Sequence, residues 1–256
     1  MTEFFNYNSP YRSDYYFDTG NFEYQLTNFE WLFPIFMLVF FAVLIVVFKQ
    51  VFKKNPELDK KVRIYTGFIF LALFLSHFIL RFVLYGFDTI VLPFQLCSIS
   101  MVLAIILLFT KNRTIFSFVL YAGVAGGLIS LFFPIIGYDS SFYRYYQFMG
   151  AHILLILTPI YFMAVHGYVP NKKETIYGFL ILQGLATFMV IFNAIVGTDF
   201  MFVFINADKI DKFPILSNFG GIPYYLIVVE IVGLSYYVIA YNAIKFFSNR
   251  IQSKKI

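Results

Sequence analysis

Leu92-Pro93-Phe94-Gln95-Leu96-Cys97-Ser98-Ile99-Ser100 opens a stretch, LPFQLCSISMVLAIILLF over 92–109, that decides how this chain must fold. Its later two thirds are almost wholly apolar, so the run reads as a membrane-buried helix. Its opening crowds Gln95, Cys97, Ser98 and Ser100 into six residues, and Cys97 is the single cysteine of the chain. Polar groups in hydrocarbon are costly unless they face the protein interior or a wet cavity, so they mark a functional site by default.

Working outward, six further apolar segments are long enough to cross a hydrocarbon core of about 30 Å. The seven run near 31–52, 64–86, 91–109, 114–134, 146–166, 176–197 and 222–247. Short loops join the second to the fourth, which makes those segments antiparallel hairpins. The composition agrees: 60% of the 256 residues are hydrophobic and only 13% are charged, against about 25% charged in soluble domains. The expected fold is an all-α, seven-helix, multi-pass membrane protein.

Cations set the expected orientation. Lys49, Lys53, Lys54, Lys60, Lys61 and Arg63 fall in the 49–63 connection, Lys111 and Arg113 after the third segment, and Lys172 and Lys173 after the fifth. With Lys245, Arg250, Lys254 and Lys255, fourteen of the 19 Lys and Arg lie on one side. The positive-inside rule makes that side cytoplasmic. Residues 1–30 are then an external segment, 31–247 the membrane domain and 248–256 a cytoplasmic basic tail. The formal charge of +5 is spread along flanks rather than gathered in a patch, which argues against nucleic acid as a partner. One cysteine excludes an intramolecular disulfide and a cysteine zinc site. No phosphate loop, dinucleotide fingerprint, internal repeat or secretory signal is visible, and no cofactor is expected. The wealth of Phe, Tyr, Ile, Asn and Lys points to an AT-rich bacterial genome and hence a bacterial plasma membrane.

Depth then groups the polar residues. Cys97 and His152 each lie about six residues from the outer end of their segments, or ~9 Å at 1.5 Å per residue. His77 and Arg81 share one face of the second segment in its outer half. Asn193 and Glu230 lie toward the outer ends of the sixth and seventh. Cys97 is the candidate nucleophile and His152 its base, since a thiolate beside an imidazole can attack an ester and hold the acyl group as a thioester. His77, Arg81, Gln95, Asn193 and Glu230 are candidates for binding substrate, with Arg81 paired to Glu230 inside the membrane. His166, at a helix end beside Gly167, is expected to be inert, and the 198–221 loop is a candidate lid. The bland alternatives are a packing cysteine, a structural histidine and a structural ion pair.

The blocks LPFQLCSIS at 92–100, KNR at 111–113, YRYYQFMGAHILLIL at 143–157, GTDFMFV at 197–203 and GIPYYLIVVE at 221–230 resemble the YwaF-type integral membrane proteins of bacteria. Those proteins look like relatives of the animal transmembrane acyltransferase that forms plasmalogens. More distantly they resemble membrane hydrolases of branched fatty-acid esters, which use Thr in place of Cys. The resemblance covers roughly residues 30–247. It implies Cys97 as nucleophile and His152 as its partner, with phospholipid or lysolipid as substrate; it does not carry roles to Gln95 or Ser98. A proton-coupled or small-solute transporter with a cavity of His77, Arg81 and Glu230 is the competing class, and a haem held by His77 and His152 a third.

Overall fold

The computed structural model describes residues 3–5, 26–87, 89, 92–134, 138–204, 218–220 and 222–253. Seven helices carry the described chain: α1 (Asn28–Lys54), α2 (Pro56–Tyr85), α3 (Leu96–Thr110), α4 (Arg113–Phe132), α5 (Tyr143–His166), α6 (Lys172–Val196) and α7 (Tyr224–Ser253). No strand occurs among the described residues. Six of the seven are long and apolar enough to cross a membrane, and α3 is a shorter apolar helix. The protein is therefore a multi-pass, all-helical membrane protein. Most of the 1–30 segment and the middle of the proposed lid, 205–217, lie outside the described residues.

Local chemistry sets the helix ends. Thr27 caps α1 in a reciprocal box with Glu30, and Asn171 does the same for α6 with Glu174. Each such cap is worth about 1 kcal/mol. The 49–63 stretch, expected as a connection, shrinks to Asn55, whose side chain takes the Leu58 N–H at 3.0 Å while Pro56 starts α2. Proline has no N–H to lose at a first helical position, so the chain can restart a helix at once. Arg63 accordingly lies within α2 rather than in a loop.

The third segment also departs from expectation. Leu92–Gln95 is bent, with Phe94 N–H bonded to Leu92 O at 2.8 Å, and the helix starts only at Leu96. Pro93 disfavours helix at the residue before it and donates nothing itself. At 15 residues, α3 spans about 22 Å, short of a full crossing, and Cys97 stands in its first turn.

The centre of the bundle is α5, which packs against α1, α2, α3 and α4. Its buried face includes Phe148, Ala151, His152, Leu155, Ile156 and Phe162. The two cores meet there, one around Phe70, Leu107, Phe118 and Leu155, the other around Tyr138, Tyr145, Met149 and Ile156. Pro34, inside α1, lacks the N–H that would bond Glu30 O four residues back. The Tyr145 hydroxyl of α5 donates to that carbonyl at 2.6 Å, so the gap in one helix becomes a tie to another. Helices α6 and α7 pack more loosely, and their outward faces stay apolar and exposed.

Helix α4 is interrupted by a π turn at Val119–Gly123. Tyr236 of α7 donates to Tyr121 O there at 3.1 Å, and the rings of Tyr121 and Tyr237 lie 4.8 Å apart. Gly178 lets α6 approach this helix closely: a Cβ there would sit 3.2 Å from the Phe118 backbone nitrogen.

Candidate functional site

Cys97 is the second residue of α3, after the cap residue Gln95, whose side chain makes no capping bond. The first intrahelical bond in this turn is from Ile99 N–H to Gln95 O at 3.0 Å. The amides of Leu96, Cys97 and Ser98 thus precede the ladder and form the positive end of the helix, which lowers the energy of a thiolate or an oxyanion nearby. Cys97 Sγ lies 3.7 Å from Ser130 Oγ of α4. Gly126, one turn before Ser130, leaves room for the sulfur, since a Cβ there would come within 3.1 Å of it. Ser100, one turn on from Cys97, is fully buried, and its hydroxyl has no hydrogen-bond partner among the described residues.

His152 is 4% exposed, with its Nδ1 2.8 Å from Phe148 O and its ring 4.2 Å from the Phe148 ring. A carbonyl oxygen can only accept, so Nδ1 carries the proton and Nε2 is the basic nitrogen. The backbone oxygen of His152 faces Gly127, where a Cβ would stand 3.5 Å away. Cys97 and His152 therefore flank the consecutive glycines Gly126 and Gly127, and the thiol's hydrogen-bond partner is Ser130 rather than the imidazole. Neither Ser130 nor the glycine pair was singled out in the sequence, although a polar residue and two glycines inside an apolar segment are a readable signal.

The expected binding residues fall into different places. Gln95 accepts the Met201 N–H at 3.0 Å. Asn193, 1% exposed, donates to Phe200 O and accepts from Phe200 N and the Thr198 hydroxyl. Both hold the turn at Phe200–Phe202, where Met201 and Phe202 take positive φ. The turn lies over the start of α3, with Phe94 packed edge-on against Phe192 and Phe200. Glu230 is exposed on α7 and accepts from Gln183 of α6 at 2.8 Å. The expected Arg81–Glu230 pair does not occur among the ion pairs of the described residues. The two sit on helices α2 and α7, which are not packed on each other, and depth alone could not reveal that. His77 and Arg81 are half-buried on α2, with His77 edge-on to Phe78 at 4.9 Å.

A single polar layer is not what the fold builds. A second cluster, centred on buried Asp59, sits at the far end of the bundle. Its carboxylate accepts from Tyr161 at 2.7 Å and Arg63 Nε at 3.1 Å, lies 3.0 Å from His166 Nε2, and has Lys111 Nζ at 3.6 Å. Arg63 also donates to Leu108 O. His166, expected to be inert, is thus a partner in this network. A cavity of about 570 Å³ runs between α1, α2 and α5 with Arg63 at one end. Cys97, His152, His77 and Arg81 are not among the residues lining it.

No curated protein and no solved structure matches this chain. The profile of one family of membrane proteins does, over residues 24–241, a span that takes in all of α1 to α6 and most of α7. With its multi-pass helical bundle and with Cys97 and His152 both inside the matched span, the chain belongs to the TMEM164 family.

Proposed function

We propose that the protein is a lipid acyltransferase that carries the acyl group as a thioester on Cys97, with His152 as general base. The observation that carries this reading is the position of Cys97: a sole cysteine in the first turn of α3, beside unladdered amides and against a glycine that admits its sulfur. The resemblance to Cys/His membrane acyltransferases points to the same residue. In the first half-reaction His152 Nε2 takes the thiol proton as Sγ attacks the ester carbonyl of a phospholipid. The amides at the head of α3 stabilise the oxyanion. The C–O bond then breaks, the departing lysolipid oxygen receives the proton from His152, and a thioester remains. An acceptor hydroxyl, deprotonated by His152, attacks that thioester and restores the thiol. Water in place of the acceptor gives hydrolysis through the same intermediate. Since Cys97 rests on Ser130, the step requires the imidazole to come within hydrogen-bond reach when lipid enters; resting sites are commonly looser than reacting ones.

The separation of polar groups into distinct clusters disfavours the transporter reading, because a conduction path needs polar lining through the full depth.

Purified protein incubated with labelled phosphatidylcholine should gain one acyl mass. Neutral hydroxylamine should remove that mass, and Cys97→Ala should never show it. Turnover unchanged in Cys97→Ala would overturn the proposal.

On the same reading residues 1–30 and the Cys97 end face outside and the 248–256 tail lies in the cytoplasm of a bacterial cell, the orientation that the cation distribution favours. The site would then draw on outer-leaflet lipid. In a Cys97→Ala background, a cysteine introduced in the 198–221 loop should react with an impermeant thiol reagent in intact cells. One at 170–174 should react only after lysis. The reverse pattern would put the site in the inner leaflet.

A further inference from the structure

We propose that the cavity between α1, α2 and α5 is a binding site for one long-chain lipid anion, a fatty carboxylate, distinct from the Cys97 region and independent of its chemistry. On α5 its lining runs from Tyr145 to Tyr161, about 24 Å at 1.5 Å per residue. That is a slot long enough for an extended hydrocarbon chain and longer than one leaflet of a core about 30 Å thick. Its volume of about 570 Å³ lies within the ~300–1,000 Å³ of small-molecule sites. Phe33, Phe41 and Phe48 line it while staying 40%, 40% and 48% exposed, so it opens sideways where lipid is found.

Two details make this a fitted space rather than a packing fault. Gly150 stands mid-helix in its wall, where glycine is about 1 kcal/mol worse than alanine. A Cβ there would meet only Leu73 at an ordinary 3.6 Å, so no protein neighbour requires the glycine. Its absent side chain widens the slot instead. The second detail is charge. Arg63 lines the far end, and Asp59 is shared between Arg63 and Lys111, so this end holds two cations to one carboxylate even with His166 neutral. An anionic head there restores the balance, and the lining beyond it is mostly apolar.

The test uses the full-length protein in detergent micelles and octadecanoic acid carrying a mid-chain diazirine. Illumination should label peptides within 33–52 and 145–161. The adduct resists hydroxylamine, which separates it from any thioester on Cys97. Oleate should compete, and oleyl alcohol should compete about tenfold less well, as expected for loss of a charge-assisted bond. Gly150→Leu should cut labelling by about tenfold or more, because its side chain displaces several methylene volumes. Leu44→Trp fills the same slot from α1 and reads the proposal if Gly150→Leu fails to fold. Gly184→Leu, on α6 in open space, should label like wild type. Labelling spread evenly over all lipid-facing helices, or unchanged in both filling variants, would overturn the site. Equal competition by alcohol and acid would overturn the anionic head.

Discussion

His152→Ala should slow acyl loading of Cys97 by about 10²–10⁴, the span attributed to a positioned general base. The measurement is the single-turnover rate at which the acyl mass appears on intact protein after mixing with phosphatidylcholine. The geometry sharpens the expectation. Phe148 O fixes the proton on Nδ1, so Nε2 is the nitrogen that must act. His152→Gln can keep the backbone contact but offers no basic nitrogen and should be as slow as alanine. A loading rate within threefold of wild type in both variants would remove His152 from the chemistry. The ring would then be a packing element of α5.

Asp59→Ala should be the most destabilising single change in the described bundle. Removing one member of a buried ion pair leaves the other charge uncompensated, at about 3–5 kcal/mol. Here the carboxylate also receives Tyr161, His166 and Lys111, so more than one group is stranded. The expected readout is a fall in the midpoint of thermal unfolding in detergent, together with loss of monodisperse protein. Asp59→Ala combined with Arg63→Met should be milder than Asp59→Ala alone, because the orphaned guanidinium goes as well. If the double variant is the worse of the two, the pair is not what holds this end together.

How much of this was legible beforehand follows from what periodicity and composition can carry. Apolar run length located the helices, because a membrane span has a fixed length and few polar interruptions. It failed at the third segment, where Pro93 holds four residues out of a helix that hydropathy alone extends through them. The cation rule filed Arg63 with the loop lysines, since charge counting is blind to a neighbour four residues earlier that could bury it; the Asp59–Arg63 spacing was the available clue. Residue depth along separate helices put Cys97 and His152 at one level. It could not say that Ser130 would be the contact of the thiol, nor that Asn193 and Gln95 would hold a turn, because those facts depend on which helices are neighbours. Glu30, at the end of the expected external segment, is 4% exposed and accepts the Ser140 N–H across 110 residues, a tie no local pattern announces.

The π turn at Val119–Gly123 has a consequence for the register of everything that follows it in α4. A π turn accommodates one residue more than the α-helical count, and each residue advances an α-helix by about 100°. Downstream of the turn the helix is therefore rotated by one step relative to an unbroken one, and only in that phase does Gly126 meet the thiol while Gly127 meets the backbone at His152. Deleting Ala122 should remove that extra residue and let the turn relax to ordinary helix with the downstream phase kept, so Ser130 stays against Cys97, whereas adding a residue before Gly126 should advance the phase and swing Ser130 away. Point substitutions in α4 can be absorbed one at a time. A residue added before Gly126 cannot, so this segment should tolerate altered side chains, or the loss of one residue within the turn, far better than a gain in length.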